Sequence, residues 1–492
     1  MYPSSETLAA RPVGNSAMTQ SGSEGTFQSS GVRGDDGYHG IRVMIWIYFL
    51  LVIFEGSLRK WVFPGAATAL LLVRDPVVAV CYFIALRNGK FPSGTFVISA
   101  LFLGIISTMA SLVSNELADV QKLLMITAFG VHANFFHLPM IFLIRDAFDK
   151  ERLRAIGKWV LILAPLAAVL IFLQYRSGPD AWVNRGAGKD SGQIWSGVSG
   201  SEKIRPASFF SYNTGNAAYL SWVAAFLLNA LFIKRTIPKQ LLIASAFALA
   251  IGGTLSISRT CVLSIVLVFG AGTLCTFLAP KLSARSVLIS FLMGCLYLVA
   301  SRFSVLGEGV AILQARVEES GGLHEGGVVR FLNGFVEPFY VLERAKFLGA
   351  GLGMGTNAAG GILTGQRTFA LDTENEWARH FLESGALLGG AFIVWRIVLF
   401  VRLFRVSLAA VKSLNPLPML LFATCFLTVL TGPIGIPMTL GFFVMGAGMT
   451  LAAAKEDGPE TPEGPMIMET PKRAVVRGRS AYAEQLHSKQ AG

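Results

Sequence analysis

Arg205, Arg259 and Arg330 are the side chains best placed to hold an anion in this 492-residue chain. Arg205 lies in Lys203-Ile-Arg205-Pro206-Ala-Ser208-Phe-Phe, just before an apolar run that Ser211, Asn213 or Thr214 could cap as a helix. A helix start of that kind offers free N–H groups and a dipole that suits negative charge. Arg259 follows Ser256-Ile-Ser258 in a tight turn between two apolar runs, and Arg330 opens an amphipathic stretch. Three guanidiniums facing one compartment could chelate a pyrophosphate, because each presents a planar fork of donors. Taken singly, each arginine could instead end a span by snorkelling, or pair with a loop carboxylate.

The second group is the run Asp372-Thr-Glu374-Asn375-Glu376-Trp-Ala-Arg379-His380-Phe-Leu-Glu383-Ser-Gly385, where a long loop re-enters an apolar run. On a helix, Glu376, Arg379, His380 and Glu383 share one face at i, i+3, i+4 and i+7. A partly dehydrated carboxylate here could act as a general base. Equally, the run could be a solvated helix start with its acids set favourably against the dipole. Arg74-Asp75 and His132, Asn134 and His137 fall inside apolar runs, where ionisable groups suggest function and histidines also serve as inter-helix hydrogen-bonding groups. Glu55, Arg59 and Lys60 sit at the end of the first run, suited to lipid phosphates or to interface anchoring beside Trp61.

No GxxxxGK[ST], HExxH or GxSxG motif is present. The run Gly349-Ala-Gly351-Leu-Gly353-Met-Gly355 fails GxGxxG in every register and reads as a turn that permits close backbone approach. The five cysteines lie in or beside apolar runs without CxxC or zinc-like spacing, so they read as packing residues and no metal is expected.

These groups need a membrane to position them. The chain is 53% hydrophobic and only 15% charged, against about 25% charged in soluble domains. That excludes both a soluble globular protein and a disordered one. The net charge of +12 could signal nucleic acid, but many basic residues lie in short loops between apolar runs, where lipid topology accounts for them. Apolar runs at roughly 42–58, 66–87, 94–113, 123–145, 155–174, 211–234, 239–257, 260–279, 285–303, 381–404, 416–433 and 435–454 are each about the length that crosses a bilayer. The expectation is an all-α polytopic protein with about twelve transmembrane helices. Fourteen Lys and Arg, from Arg87 to Lys412, fall in the short loops on one side, against Arg59, Lys60, Lys122 and Arg259 on the other. That asymmetry puts both tails, 1–41 and 455–492, in the cytoplasm as disordered segments around a 42–454 membrane domain. The long connections, about 175–210 and 304–380, then face outward. The second carries an apolar stripe, Leu332, Phe335, Val336, Phe339 and Leu342, that could lie on the bilayer surface, with Pro338 expected to kink it.

The order of these features resembles the O-antigen ligase and Wzy-type polysaccharide polymerase superfamily. The matching residues are Arg205-Pro-Ala-Ser-Phe-Phe, the Ser258-Arg259 turn, Arg330 followed by Phe347-Leu-Gly349-Ala-Gly351-Leu-Gly353, and Glu374-Asn375 with Gly385 and Gly389 downstream. The stretch from Phe54-Glu55-Gly56-Ser57 to Pro64 looks like a subgroup associated with exopolysaccharide clusters. Ligases of this family carry histidine where Glu374 stands here, which favours polymerase over ligase.

The resemblance implies glycosyl transfer at the periplasmic face of a bacterial inner membrane, from an undecaprenyl-pyrophosphate-linked glycan to an acceptor glycan in the lipid bilayer. Arg205, Arg259 and Arg330 would bind the pyrophosphate. Glu374, or Glu376 as second choice, would accept the hydroxyl proton, with no cofactor, metal or nucleic acid involved. A flippase and chain-length or export proteins are the further partners it suggests. The alternatives are a ligase that moves glycan to lipid A-core, or a non-enzymatic flippase or transporter of lipid-linked sugars.

Overall fold

The computed structural model describes residues 37–114, 117, 119–187, 203–232, 237–282, 304–319, 329–365, 371, 373 and 375–455. Among them the chain is helical, without strands. Eight helices are long and apolar enough to cross a membrane, as expected of a multi-pass membrane protein. In chain order the first nine helices are α1 (His39–Ser57), α2 (Arg74–Arg87), α3 (Thr95–Ser114), α4 (Val120–Val131), α5 (Leu138–Ala147), α6 (Lys150–Arg176), α7 (Asn213–Phe232), α8 (Lys239–Leu255) and α9 (Arg259–Leu278). A π-helical turn, His132–Phe136, joins α4 to α5, and another, Leu58–Val62, extends α1. The expected ninth span, 285–303, and most of both tails lie outside the described residues.

The long connection resolves into helices of its own, α10 (Ser304–Glu319), α11 (Arg330–Leu342) and α12 (Asn357–Thr364). It leads into α13 (Glu376–Lys412), α14 (Leu417–Leu430) and α15 (Pro437–Ala453). The helix of α11 continues through Pro338. Its apolar stripe divides: Phe335 and Leu342 pack on Trp377 and Phe381 of α13, while Leu332, Val336 and Phe339 stay exposed.

Side-chain size, more than polarity, sets which helix face is inside. On α3, Ile98, Leu101, Phe102, Ile105 and Met109 form one exposed stripe, and the opposite stripe, Val97, Ala100, Gly104, Ser107 and Ser111, is buried. Large apolar groups therefore face the lipid position and small ones let the neighbouring helix approach, the usual economy of membrane bundles. Helices α7 and α15 are buried almost throughout and form the centre, with α5, α6, α9 and α14 packed round them. The helix starts that bear on the site are capped by side chains: Ser258 Oγ accepts from Cys261 N, and Asn375 Oδ1 from Trp377 N and Ala378 N.

Candidate functional site

Three segments carry the candidate residues. The first carries Arg205. Residues 203–212 form an irregular segment gripped from below by the end of α1. Ser57 Oγ donates to Phe209 O (3.0 Å), Lys60 Nζ to Ser208 O (2.7 Å) and Arg59 Nη1 to Ser211 Oγ (3.0 Å). From the other side Gln174 Oε1 accepts from Ser208 N at 2.7 Å. Arg59 and Lys60, expected at lipid phosphates or as interface anchors, are thus buried side chains that hold a loop, and Glu55 pairs with Arg59 (3.4 Å) and Arg74 (3.1 Å). Gly56 passes directly against the backbone of Phe209, Phe210 and Ser211, leaving no room for a Cβ. A Gly56→Ala protein is therefore expected to lose about 1–3 kcal/mol from overpacking, read as a lower thermal midpoint, and to displace the Arg205 segment.

Arg259 belongs to the second segment, the α8–α9 turn. It is the first residue of α9, directly after the Ser258 cap. Its Nη1 is buried and has no hydrogen-bond partner among the described residues. Arg205 and Arg259 come close enough that burial, and then the Arg259 charge, push the Arg205 guanidinium below its ordinary proton affinity. Both loops are also held in uncommon backbone: Ser208 has φ 53° and Ile257 φ 46°, and both side chains are wholly buried. A β-branched residue at positive φ is an outlier, and such outliers concentrate at sites where geometry is imposed by function. Arg330 opens α11, but its side chain lies outside the described residues, as does Glu374.

The third segment is the head of α13, where Glu376, Arg379, His380 and Glu383 do share one buried face. Glu376 Oε1 accepts from Arg379 Nη2 (2.7 Å), Ile434 N (3.1 Å) and Arg396 Nη1 (3.4 Å), and Oε2 accepts from Arg379 Nε (2.9 Å). Glu383 Oε2 accepts from Arg379 Nη1 (2.8 Å) and Asn134 Nδ2 (3.3 Å), while Oε1 accepts from Gly355 N (2.9 Å). Arg396 also donates to the carbonyls of Thr428, Val429 and Gly432. Two carboxylates and two guanidiniums therefore balance, with their hydrogen bonds supplied by four separate chain segments. His380 Nε2 lies 3.3 Å from Glu376 Oε1 without hydrogen-bond geometry, its ring packed on Phe392.

The glycine run docks on the same helix. Gly385 interrupts α13 with φ 75°, which frees the carbonyls of Leu382 and Glu383 to accept from Ala350 N (2.7 Å) and Gly351 N (3.0 Å). Gly349 and Gly385 face each other's backbone so closely that neither admits a Cβ, as the reading of close approach anticipates. Asn375, besides capping α13, donates from Nδ2 to Gly334 O (2.8 Å) and so ties α11, the helix that Arg330 begins, to the head of α13.

A cavity of about 250 Å³ opens among the starts of α7 and α9 and the α14–α15 turn, lined by Thr214, Thr260, Thr428, Thr431, Gly432 and Met438 among others. Thr260 follows Arg259 directly, and the α14–α15 turn that bounds the cavity is the one Glu376 and Arg396 hold. The arrangement can bind an anion at the arginine pair, with an apolar, hydroxyl-lined space beside it. Sequence reasoning missed Arg396 and the partnership of Asn134 with Glu383. The signal for Arg396 was a charge deep within an apolar run. The chain matches no family model, no curated protein and no solved structure.

Proposed function

We propose that this chain is a bacterial inner-membrane polymerase that joins undecaprenyl-pyrophosphate-linked repeat units into exopolysaccharide or O-antigen at the periplasmic face. The observation that carries this reading is geometric: Arg205 and Arg259, both half-buried, each lie within three residues of a fully buried residue at positive φ, Ser208 and Ile257, and Arg259 adjoins the hydroxyl-lined cavity through Thr260. Two guanidiniums at neighbouring loops suit an anion, and a pyrophosphate supplies the charge and the oxygens for both forks. In the proposed reaction an acceptor sugar hydroxyl attacks the anomeric carbon of the donor. The bond to the pyrophosphate oxygen breaks, the hydroxyl proton passes to a carboxylate, and undecaprenyl pyrophosphate departs on the arginines, which stabilise its charge.

Glu374 is the preferred base. It directly precedes the Asn375 cap in sequence, whereas both carboxylate oxygens of Glu376 are already engaged by Arg379, Arg396 and the Ile434 N–H. The proposed topology has about twelve spans, both tails in the cytoplasm, and α10 to α12 outside. A reporter fused near residue 340 is expected to read periplasmic, and a cytoplasmic signal there would remove the site from the compartment the reaction needs. The activity itself is tested by supplying the purified protein with a defined lipid-linked repeat unit and separating the products on a gel. A ladder of extended glycans is the expected result. Unchanged donor under conditions that keep the protein folded would argue for transport instead.

A further inference from the structure

We propose that Asp75, His132 and His137 form a binding site for a divalent transition-metal ion, with Zn²⁺ the ion that its donors suit best. Asp75 comes from the first turn of α2, His132 from the π-helical turn, and His137 from the residue that precedes α5. Their donor atoms all lie within 4.8 Å of one another. His132 Nδ1 is 2.7 Å from Asp75 Oδ2, and His137 Nε2 is 3.0 Å from Asp75 Oδ1. These separations are a few tenths of an ångström shorter than the ~3.3 Å edges of a tetrahedral shell with ligands at about 2.0–2.1 Å, so small side-chain shifts would admit an ion.

His137 Nε2 and Asp75 Oδ1 stand in hydrogen-bond geometry, and His132 is the member of the cluster whose nitrogen is left unsatisfied among the described residues. His132 Nδ1 is buried and very close to the carboxylate, yet it has hydrogen-bond geometry with no described residue. An ion bound against the Asp75 carboxylate would give this buried nitrogen the partner it lacks. His137 is oriented by Tyr48, whose hydroxyl oxygen lies 3.0 Å from Nδ1. Without an ion Nε2–H donates to Asp75 Oδ1; with an ion the proton moves to Nδ1 and is donated to Tyr48, which frees the Nε2 lone pair to ligate and makes Tyr48 the outer partner a metal-ligating histidine needs. The neighbouring Arg74 pairs with Glu55 (3.1 Å) and donates to the carbonyl of Pro437, while its guanidinium also lies 5.7 Å from the centre of the Tyr48 ring. Two imidazoles and one carboxylate suit zinc and its first-row neighbours and suit calcium or magnesium poorly. Three protein ligands leave a fourth position, and the Asp75 side chain, 24% exposed, gives an ion a way in.

The bound ion would clip α2 to the π-helical turn. The same turn presents Asn134 to Arg379 and Glu383, and π-turns of this kind recur at functional positions. The ion therefore acts on the fold around the charged network and takes no part in glycosyl transfer, so this proposal stands or falls apart from the polymerase reading.

The test uses full-length protein carrying no histidine tag, stripped with chelator in detergent and titrated with Zn²⁺ by calorimetry, then with Co²⁺ followed by its visible spectrum. One ion per chain is expected, with intense ligand-field bands of tetrahedral Co²⁺ and a raised thermal midpoint. His132→Ala, His137→Ala and Asp75→Asn should each abolish binding, Tyr48→Phe should weaken it about tenfold or more, and His39→Ala should leave it unchanged. No bound ion in folded wild-type protein overturns the proposal, and so does binding that survives in a His132→Ala or His137→Ala variant. Should those variants misfold, the wild-type stoichiometry and the Co²⁺ spectrum decide alone, octahedral or absent bands counting against the site.

Discussion

Glu374→Gln is expected to abolish polymer formation while the protein inserts, folds and binds its donor as before. The substitution keeps the shape and hydrogen bonding of the side chain and removes only its capacity to accept a proton. General-base catalysis contributes about 10²–10⁴-fold, and the turnover should fall by that amount. Glu374→His should retain part of the activity, since imidazole titrates near neutral pH. The neighbouring Glu376→Gln should fail differently. Its carboxylate is buried against Arg379 and Arg396, so neutralising it strands positive charge in the bundle, a loss of about 3–5 kcal/mol. The measurement is a pair of readouts on each variant: the thermal midpoint in detergent and polymer yield from a defined lipid-linked substrate. A Glu374→Gln protein with normal yield removes that residue from the reaction. A Glu376→Gln protein with normal stability and no yield would transfer the role of base to it.

The helical, many-span character of the chain was legible in composition and in run lengths, because crossing a bilayer makes a demand that any one sequence must satisfy alone. The shared face of Glu376, Arg379, His380 and Glu383 was legible too, because helical spacing is a local property. The glycine run read correctly as a place of close approach, but its partner, the interruption of α13 at Gly385, was not readable. That partner lies across a long loop, and only packing brings the two together. For the same reason Arg59 and Lys60 were misread. A basic pair at the end of a span snorkels in most proteins, whereas here it meets the carbonyl of Ser208 and the hydroxyl of Ser211 from a segment about 150 positions away. The intramembrane polar residues were each visible in sequence, yet their division into an Asp75–His132–His137 group and an Asn134–Glu383–Arg379 group depends on the π-helical turn. That turn shifts the register of successive side chains, and no periodicity in the residues announces it.

Arg259→Ala and Arg205→Ala should each lower turnover about 10²–10³-fold, the usual cost of removing one donor from a site that stabilises developing negative charge. Lysine at either position should rescue little, because it restores the charge without the planar fork that two pyrophosphate oxygens engage. Stability separates this reading from a structural one. An arginine that merely ends a span or pairs with a carboxylate stabilises the fold, so its loss should lower the thermal midpoint. Arg259 instead stands close to another guanidinium and buries an Nη1 that no described residue meets. Arg259→Ala should therefore leave the midpoint of the empty protein unchanged or raise it, in the familiar exchange of stability for function. Added inorganic pyrophosphate should stabilise the wild-type protein by mass action and stabilise either alanine variant much less. If Arg259→Ala unfolds at a lower temperature and still makes polymer, the arginine pair is scaffolding and the anion site must lie elsewhere.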